Sequence, residues 1–323
     1  MKHITVNGVR LSVIGVGCWQ FGSSDWGYGK DYGDTTAGQI LNRALDLGVN
    51  LVDTAEIYAR GASESIVGRA IAGRRDDVFL ATKLTPVWPD AKHTYEHARL
   101  SSMRLGVDTL DLYQVHFPNP AVPPRKTMDG MRRLLDEGLI RNVGVSNYSA
   151  DQWRAAESAL GQPVLSNQVR YSLATRKPEK AVLPHAQQND RLVIAYSPLG
   201  QGLLGGRYDS DHRPSGPGRL NNPLFLPENL ERATALIGAL RDVAKNHDAT
   251  PAQVALAWLV AKPNVVAIPG ASSVDQLEHN VAAADLDLGE DELARLTHEA
   301  DRFQPLTGPA VVLPMLKSRL GRG

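Results

Sequence analysis

Short apolar runs alternate with amphipathic segments from one end of the chain to the other, and this repeat restricts the fold more than any other feature. The runs are "VIGVGCW", "NLVDTA", "VFLATK", "LDLYQVHF", "IRNVGVSN", "PVLSNQVRY", "RLVIAYSPL" and "VVAIPG". Each has the length of a buried strand. The segments between them place apolar residues at helical spacing, as in "TAGQILNRALDLG", where Leu41, Ala44, Leu45 and Leu47 recur before Gly48 ends the helix. Eight such units, at a period of roughly 30 residues, fill the 323-residue chain to about the length a barrel of inner strands and outer helices needs. A doubly wound open sheet is the rival. Its first β-to-α turn usually carries a glycine fingerprint, whereas here that turn reads "GVGCWQFG", with Gln20 where the third glycine should stand. The expected fold class is therefore α/β, a (β/α)8 TIM barrel, with residues 1–323 as one domain and no linker to split it.

Several additions surround the repeat. Residues 1–12 alternate about Asn7 and Gly8, the pair that suits a type I′ turn, and predict an N-terminal β-hairpin. Residues 199–230, rich in Gly, Pro, Asn and Asp, predict a long loop after the seventh strand, and loops of that length are functional or disordered. "GEDELARLTHEAD" reads as an accessory helix, and residues 302–323 as a C-terminal tail. With 35 basic and 35 acidic residues there is no global field to draw in nucleic acid or an anionic membrane, so any anionic ligand is held locally. The N-terminus lacks the apolar core of a signal peptide, and no later run has the length to cross a bilayer. A single cysteine, Cys18, forms no intrachain disulfide and suits a reducing, cytoplasmic setting, where it reads as a small buried hydrophobe.

In such a barrel, chemistry sits at the C-terminal ends of the strands and in the loops beyond them. Asp53 ends the second strand, Lys83 the third and His116 the fourth, and Tyr58 lies in the loop after the second. Each alone has an ordinary structural explanation, such as a turn cap, a rim lysine, a core histidine or a packed ring. Together, at successive strand ends, they should converge. A free tyrosine titrates near ~10, but a close ammonium stabilises its phenolate and lowers that pKa. Lys83 supplies the charge, Asp53 keeps the buried amine protonated, and His116 donates a hydrogen bond that orients a substrate oxygen. The set protonates an oxygen that gains negative charge.

The motifs "NLVDTAEIYARGASESIVGRAI", "ATK", "LYQVH", "GVSN", "NQVRYS", "AYSPLGQGLL" and "IPGASSVDQLEHN" follow one order along nearly the whole chain and together resemble the aldo-keto reductase superfamily. The resemblance implies a barrel that binds a nicotinamide cofactor, NADPH/NADP+ in preference to NADH, and reduces a small-molecule aldehyde or ketone to an alcohol. It matches Asp53, Tyr58, Lys83 and His116 to the catalytic tetrad, with Tyr58 as general acid. It implies that Ser146, Asn147 and Gln168 bond the nicotinamide carboxamide and that Tyr196 stacks on the ring. "SPLGQGLLGG" holds a G-x-G-x-x-G at Gly200, Gly202 and Gly205, but no amphipathic helix follows directly. It reads as a glycine-rich loop approaching the pyrophosphate, with Ser197, Leu199 and Arg207 beside it.

Relatives that hold the 2′-phosphate tightly often carry a basic residue after the proline of the eighth-strand motif and an arginine farther on. Here Pro269 is followed by Gly270, and Gln276 stands at the later position. The resemblance to subgroups with glycine there leaves Ser272, Ser273, Gln276 and Asn280 around the adenosine phosphate. Trp19, Phe21, Trp26, Trp88 and Tyr148 follow strand ends and are candidates for an apolar substrate pocket, Trp19 and Trp88 foremost. His93 and His97 have metal-ligand spacing without a third ligand, so no metal is expected. Two other readings stay open. One is an NADP(H)-binding regulatory subunit with little turnover; the other is an aldolase with Lys83 as Schiff-base nucleophile, which a paired Asp53 opposes by keeping the amine protonated.

Overall fold

The computed structural model describes residues 1–214, 216–220, 222–311 and 314–315. A hairpin of β1 (His3–Val6) and β2 (Val9–Ser12) comes first. The strands β3 (Val16–Gly17), β4 (Leu51–Asp53), β5 (Phe79–Leu84), β6 (Leu112–Val115), β7 (Val143–Ser146), β8 (Ser166–Arg170), β9 (Leu192–Tyr196) and β10 (Val265–Ala267) follow. These eight form one curled parallel sheet in chain order. The ring closes where the Gly15 N–H donates to Ala267 O at 2.8 Å and the Ala267 N–H donates to Val13 O at 2.9 Å. The (β/α)8 barrel expected from the alternation is the fold found.

The strands read as continuous apolar runs because both of their faces are covered, one by the barrel interior and one by helices. Helix Asp34–Asp46 shows the outer layer: Ala37, Ile40, Leu41, Ala44 and Leu45 form its buried stripe. Helices Ala150–Leu160 and Pro251–Val260 begin in capping boxes, Ser149 with Gln152 and Thr250 with Gln253, which satisfy free N–H groups where each helix leaves its loop.

The hairpin plugs the end of the barrel where the strands begin. Val6 and Leu11 are fully buried in one cluster with Leu51, Leu112, Leu165, Leu192 and Val266. Asn7 and Gly8 have φ of 48° and 77°, the left-handed pair a type I′ turn requires. The Asn50 side chain pins the hairpin, accepting from the Ser12 N–H at 2.8 Å and donating to Arg10 O at 3.0 Å.

The 199–230 segment is more regular than its composition suggests. It holds a 3-10 segment, Gly200–Gly205, a short helix, Pro217–Leu220, and a turn, Pro223–Phe225; helix Pro227–Asn246 begins inside it. Ser215 and Asn221 of this segment lie outside the described residues, as does most of the tail beyond Val311. The accessory helix is Glu290–Arg302, and the chain after it docks on helix Pro227–Asn246, where the Leu306 N–H donates to Asn229 Oδ1 at 2.7 Å. No helix among the described residues is long and apolar enough to cross a membrane.

Candidate active site

At the opposite end of the ring the strands finish in polar groups. Asp53 closes β4, Lys83 is the penultimate residue of β5, His116 follows β6, and Tyr58 opens the 3-10 turn Tyr58–Gly61. The structure brings all four together. Lys83 Nζ donates to Asp53 Oδ1 at 2.5 Å, to Thr54 O at 2.8 Å and to the Tyr58 hydroxyl at 3.2 Å, which uses all three ammonium protons. The His116 ring lies edge-on to Tyr58, with centroids 5.7 Å apart, and stacks on Phe117 at 4.6 Å.

A second set of contacts, which the strand-end pattern did not reveal, fixes Asp53 from across the barrel. Its Oδ2 accepts from Gln114 Nε2 at 3.2 Å and from Gln168 Nε2 at 2.8 Å. Gly144 makes room for this belt, since a Cβ there would sit 2.5 Å from Ser166 Oγ and 2.8 Å from Gln114 Cγ. The available signal was Gln114 itself, a polar residue inside an otherwise apolar strand.

The electrostatics follow from burial. Burial works to lower the Lys83 pKa, but the Asp53 carboxylate, then Tyr58, outweigh it and raise the pKa. The amine is therefore held protonated, the reverse of what a Schiff-base nucleophile requires. Tyr58 differs from expectation. Burial raises its pKa by more than Lys83 lowers it, so the phenol stays protonated well into the alkaline range. His116 is pushed down to about 3 by burial and then by the Lys83 charge, so its ring is neutral. Its Nδ1 is buried without a hydrogen-bond partner among the described residues, which leaves Nε2 to meet a ligand. The thiol of buried Cys18 is raised, chiefly by burial, in keeping with a packing role.

Behind Tyr58 the backbone is strained. Ala59 and Arg60 have φ of 46° and 56°, a left-handed region that residues with a Cβ rarely occupy. A buried ionic network holds the turn. Glu64, with no exposed surface, accepts from Thr82 Oγ1 at 2.6 Å and from Arg104 Nε at 2.6 Å, while Glu56 accepts from the Thr85 N–H and pairs with His97 at 2.7 Å. His97 and His93, the latter on Asp90 at 2.8 Å, are thus engaged with carboxylates.

The residues assigned to the cofactor line the β7 to β10 side of the mouth. Ser146 Oγ donates to Gln168 O at 2.8 Å, and Asn147 Nδ2 donates to His116 O at 3.1 Å. The Tyr196 hydroxyl donates to Asn147 Oδ1 at 2.9 Å, which fixes the plane of a half-exposed ring. Ser197, Gly200, Gln201 and Gly202 all have left-handed φ beside Leu199. Arg207 is exposed, and the cations bonded to this loop are Arg241, whose Nη2 donates to Gly206 O at 2.6 Å, and Arg219, whose Nε donates to Gln201 O at 2.8 Å and whose guanidinium lies 5.1 Å from the Trp26 ring centre. The 199–230 segment thus reaches the loop after β3. Ser273 Oγ caps helix Val274–Ala282 by accepting from the Gln276 N–H at 3.1 Å, and Gln276 Oε1 accepts from the Ser272 N–H at 3.0 Å. Asn280, buried, donates to Gly270 O at 3.3 Å. After Pro269, a Cβ on Gly270 would lie 2.7 Å from Gln20 Oε1, so the side chain of Gln20 fills the space a basic residue would enter.

Among the aromatic candidates, Trp19 and Trp88 are 46% and 55% exposed, Trp26 packs against Trp19 at 5.1 Å, and Tyr148 is half-buried. Phe21 is fully buried and belongs to the core instead. Ile57, Val87 and Phe117, all exposed in the loops after β4, β5 and β6, complete the apolar rim and were missed because short loops carry no periodicity.

Comparison with known proteins agrees with this geometry. The sequence pattern of the Aldo/keto reductase family matches residues 13–300. An uncharacterized oxidoreductase of Mycobacterium tuberculosis is 50% identical over 323 residues, 100% of both chains. The methylglyoxal reductase of Escherichia coli is 34% identical over 297 residues, 91% of this chain and 93% of that one. A crystal structure of an aldo/keto reductase from Klebsiella pneumoniae in complex with NADP and acetate has a TM-score of 0.74 at 31% identity, over 94% of this chain and 95% of that one. This chain belongs to the aldo/keto reductase family.

Proposed function

We propose that the chain reduces aldehydes or ketones to alcohols with NADPH, using Tyr58 as the general acid. The observation that carries this reading is one buried ammonium, Lys83, bonded to both Asp53 and the Tyr58 hydroxyl. Family membership and the NADP bound to the Klebsiella relative support a nicotinamide cofactor. The residues present fit that group: the anchored, half-exposed Tyr196 ring is a platform for a flat heterocycle, and Asn147 lies at its edge. Ser146, Asn147 and Gln168 would hold the carboxamide, the glycine loop with Ser197 and Leu199 the pyrophosphate, and Ser272, Ser273 and Gln276 the 2′-phosphate. When bound, the reduced nicotinamide supplies the hydride to the carbonyl carbon.

The chain's own residues then act on oxygen. Neutral His116 donates from Nε2 to the carbonyl oxygen and orients it beside Tyr58. Tyr58 gives up its proton as that oxygen gains charge. Lys83 stabilises the phenolate that results, and Asp53, held by Gln114 and Gln168, keeps Lys83 charged.

The test follows NADPH absorbance with aromatic aldehydes, α-dicarbonyls and quinones, for wild type and Tyr58→Phe. Turnover is expected to fall about 10²- to 10⁴-fold in the variant while NADPH binding persists. Tight NADPH binding with no turnover across the panel would favour a regulatory subunit instead. Equal rates with NADH at matched concentration would remove the NADPH preference.

A further inference from the structure

His116 meets the reacting oxygen in the reductase reading, yet no hydrogen bond from the described residues fixes its ring. Its backbone is secured on both sides: the His116 N–H donates to Leu84 O at 3.0 Å, and His116 O accepts from Asn147 Nδ2 at 3.1 Å. The ring is left free to turn, because the terminal torsion of a histidine is broad. Other histidines of this chain are held differently. His93, His97, His212 and His247 each rest a ring nitrogen on a carboxylate.

The residue that fixes the His116 plane is its neighbour in the chain. The His116 and Phe117 rings stack with centroids 4.6 Å apart and planes 3° from parallel, while Tyr58 meets His116 edge-on at 5.7 Å. Phe117 is 47% exposed, so this stack is not a by-product of core packing. The backbone beyond it is pinned. Pro118 disfavours helical backbone at Phe117, and Asn119 Nδ2 donates to Pro86 O at 2.9 Å and to Val87 O at 3.2 Å, which ties this loop to the one after β5.

An apolar clamp has a chemical consequence here. A carboxylate on Nδ1 would fix the ring but also favour its charged form. A phenyl face fixes the plane and excludes water without supplying an anion. The titratable groups acting on the ring are Lys83, whose charge opposes protonation, and the edge-on Tyr58 phenol. A buried N–H without a partner is costlier than a bare ring nitrogen, so the proton of the neutral ring sits on Nε2.

We propose that Phe117 is a positioning residue for carbonyl reduction, its stack holding the His116 ring in the plane that aims Nε2–H at the substrate oxygen. The proposal rests on the reductase reading and adds to it a residue that acts through His116.

The experiment compares Phe117→Leu with Phe117→Tyr, which keeps the ring. Two carbonyl compounds are followed with NADPH: a small α-dicarbonyl, too short to reach the apolar rim, and an aromatic aldehyde. Phe117→Leu should lower kcat for both by about tenfold to a hundredfold, with little change in KM for the small one, and Phe117→Tyr should keep most of the wild-type kcat. Unchanged NADPH affinity shows that the variants are folded. Without cofactor or substrate, the His116 ring protons, identified by their loss from the NMR spectrum of His116→Gln, supply a second readout. They should titrate at higher pH in Phe117→Leu than in wild type, toward the ordinary 6.5, because water reaches the ring, and as in wild type in Phe117→Tyr. A loss confined to the aromatic aldehyde and carried by KM would make Phe117 a substrate contact alone and overturn the proposal. An unmoved His116 titration in Phe117→Leu would overturn it as well. Tight NADPH binding by wild type with neither carbonyl turned over would remove the reductase reading, and with it the catalytic role of Phe117, even where the titration shows the ring held.

Discussion

The two ends of this barrel are built from the same eight strands and serve opposite purposes. Where the strands begin, Val6 and Leu11 of the hairpin meet Leu51, Leu112, Leu165, Leu192 and Val266 in an apolar plug. Where the strands finish, a buried ion pair, a neutral histidine whose Nδ1 has no partner among the described residues, and consecutive left-handed residues without glycine's freedom stand together. One end accumulates favourable burial, and the other holds costly arrangements in place. The separation lets a rigid floor support a strained and polar mouth.

The largest expected departure from a clean division is at Lys83. Lys83→Met should abolish proton-donor support for Tyr58 and also destabilise the fold by about 3–5 kcal/mol, because Asp53 would remain buried without its cation. Urea denaturation checks this, and an unchanged midpoint would mean that Asp53 simply takes up a proton. Leu11→Ala tests the other end. It should cost about 2–5 kcal/mol by opening a cavity in the plug, while kcat of the folded enzyme stays at the wild-type value. A fall in kcat without loss of stability would show that the two ends are coupled.

A third effect concerns acid. His116 titrates at about 3 in the folded chain against an ordinary 6.5, so across that window the unfolded chain binds the extra proton. Folding stability should therefore fall as pH drops from 6.5 toward 3. His116→Gln should flatten this limb, leaving the parts owed to His185 and His3, whose pKa values burial also lowers, and, at its acid end, to carboxylates held low by hydrogen bonds, such as Asp90, Glu137 and Glu292. An identical slope in the variant would show that the His116 ring is hydrated. Tyr58 has the opposite sense: its raised pKa means that reduction should hold steady through neutral pH and decline only on the alkaline side, as the phenol ionises.

Much of the fold was legible because strand and helix periods are local. "NLVDTA" or "TAGQILNRALDLG" declares its element within a few residues, and the barrel rule then assigns Asp53, Lys83 and His116 to one mouth. The turn at Asn7 and Gly8 was legible for the same reason. The 199–230 segment was less so, since its glycines and prolines signal loops while short helical turns depend on what they pack against, such as Arg219 and Gly218 on Trp26. Phe21 was misplaced because a strand-end position does not reveal which way a ring turns.

The sequence by itself determined the architecture, the family and the identity of the four groups at the mouth, because each is written in short-range pattern and order. Tertiary structure alone decided that Gln114 and Gln168, 61 and 115 positions from Asp53, share its carboxylate. It also decided that Gln20 occupies the space beside Gly270. The sign of the Tyr58 shift belongs with these. It is a difference between burial and a neighbouring charge, and both exist only once the ring of strands has closed.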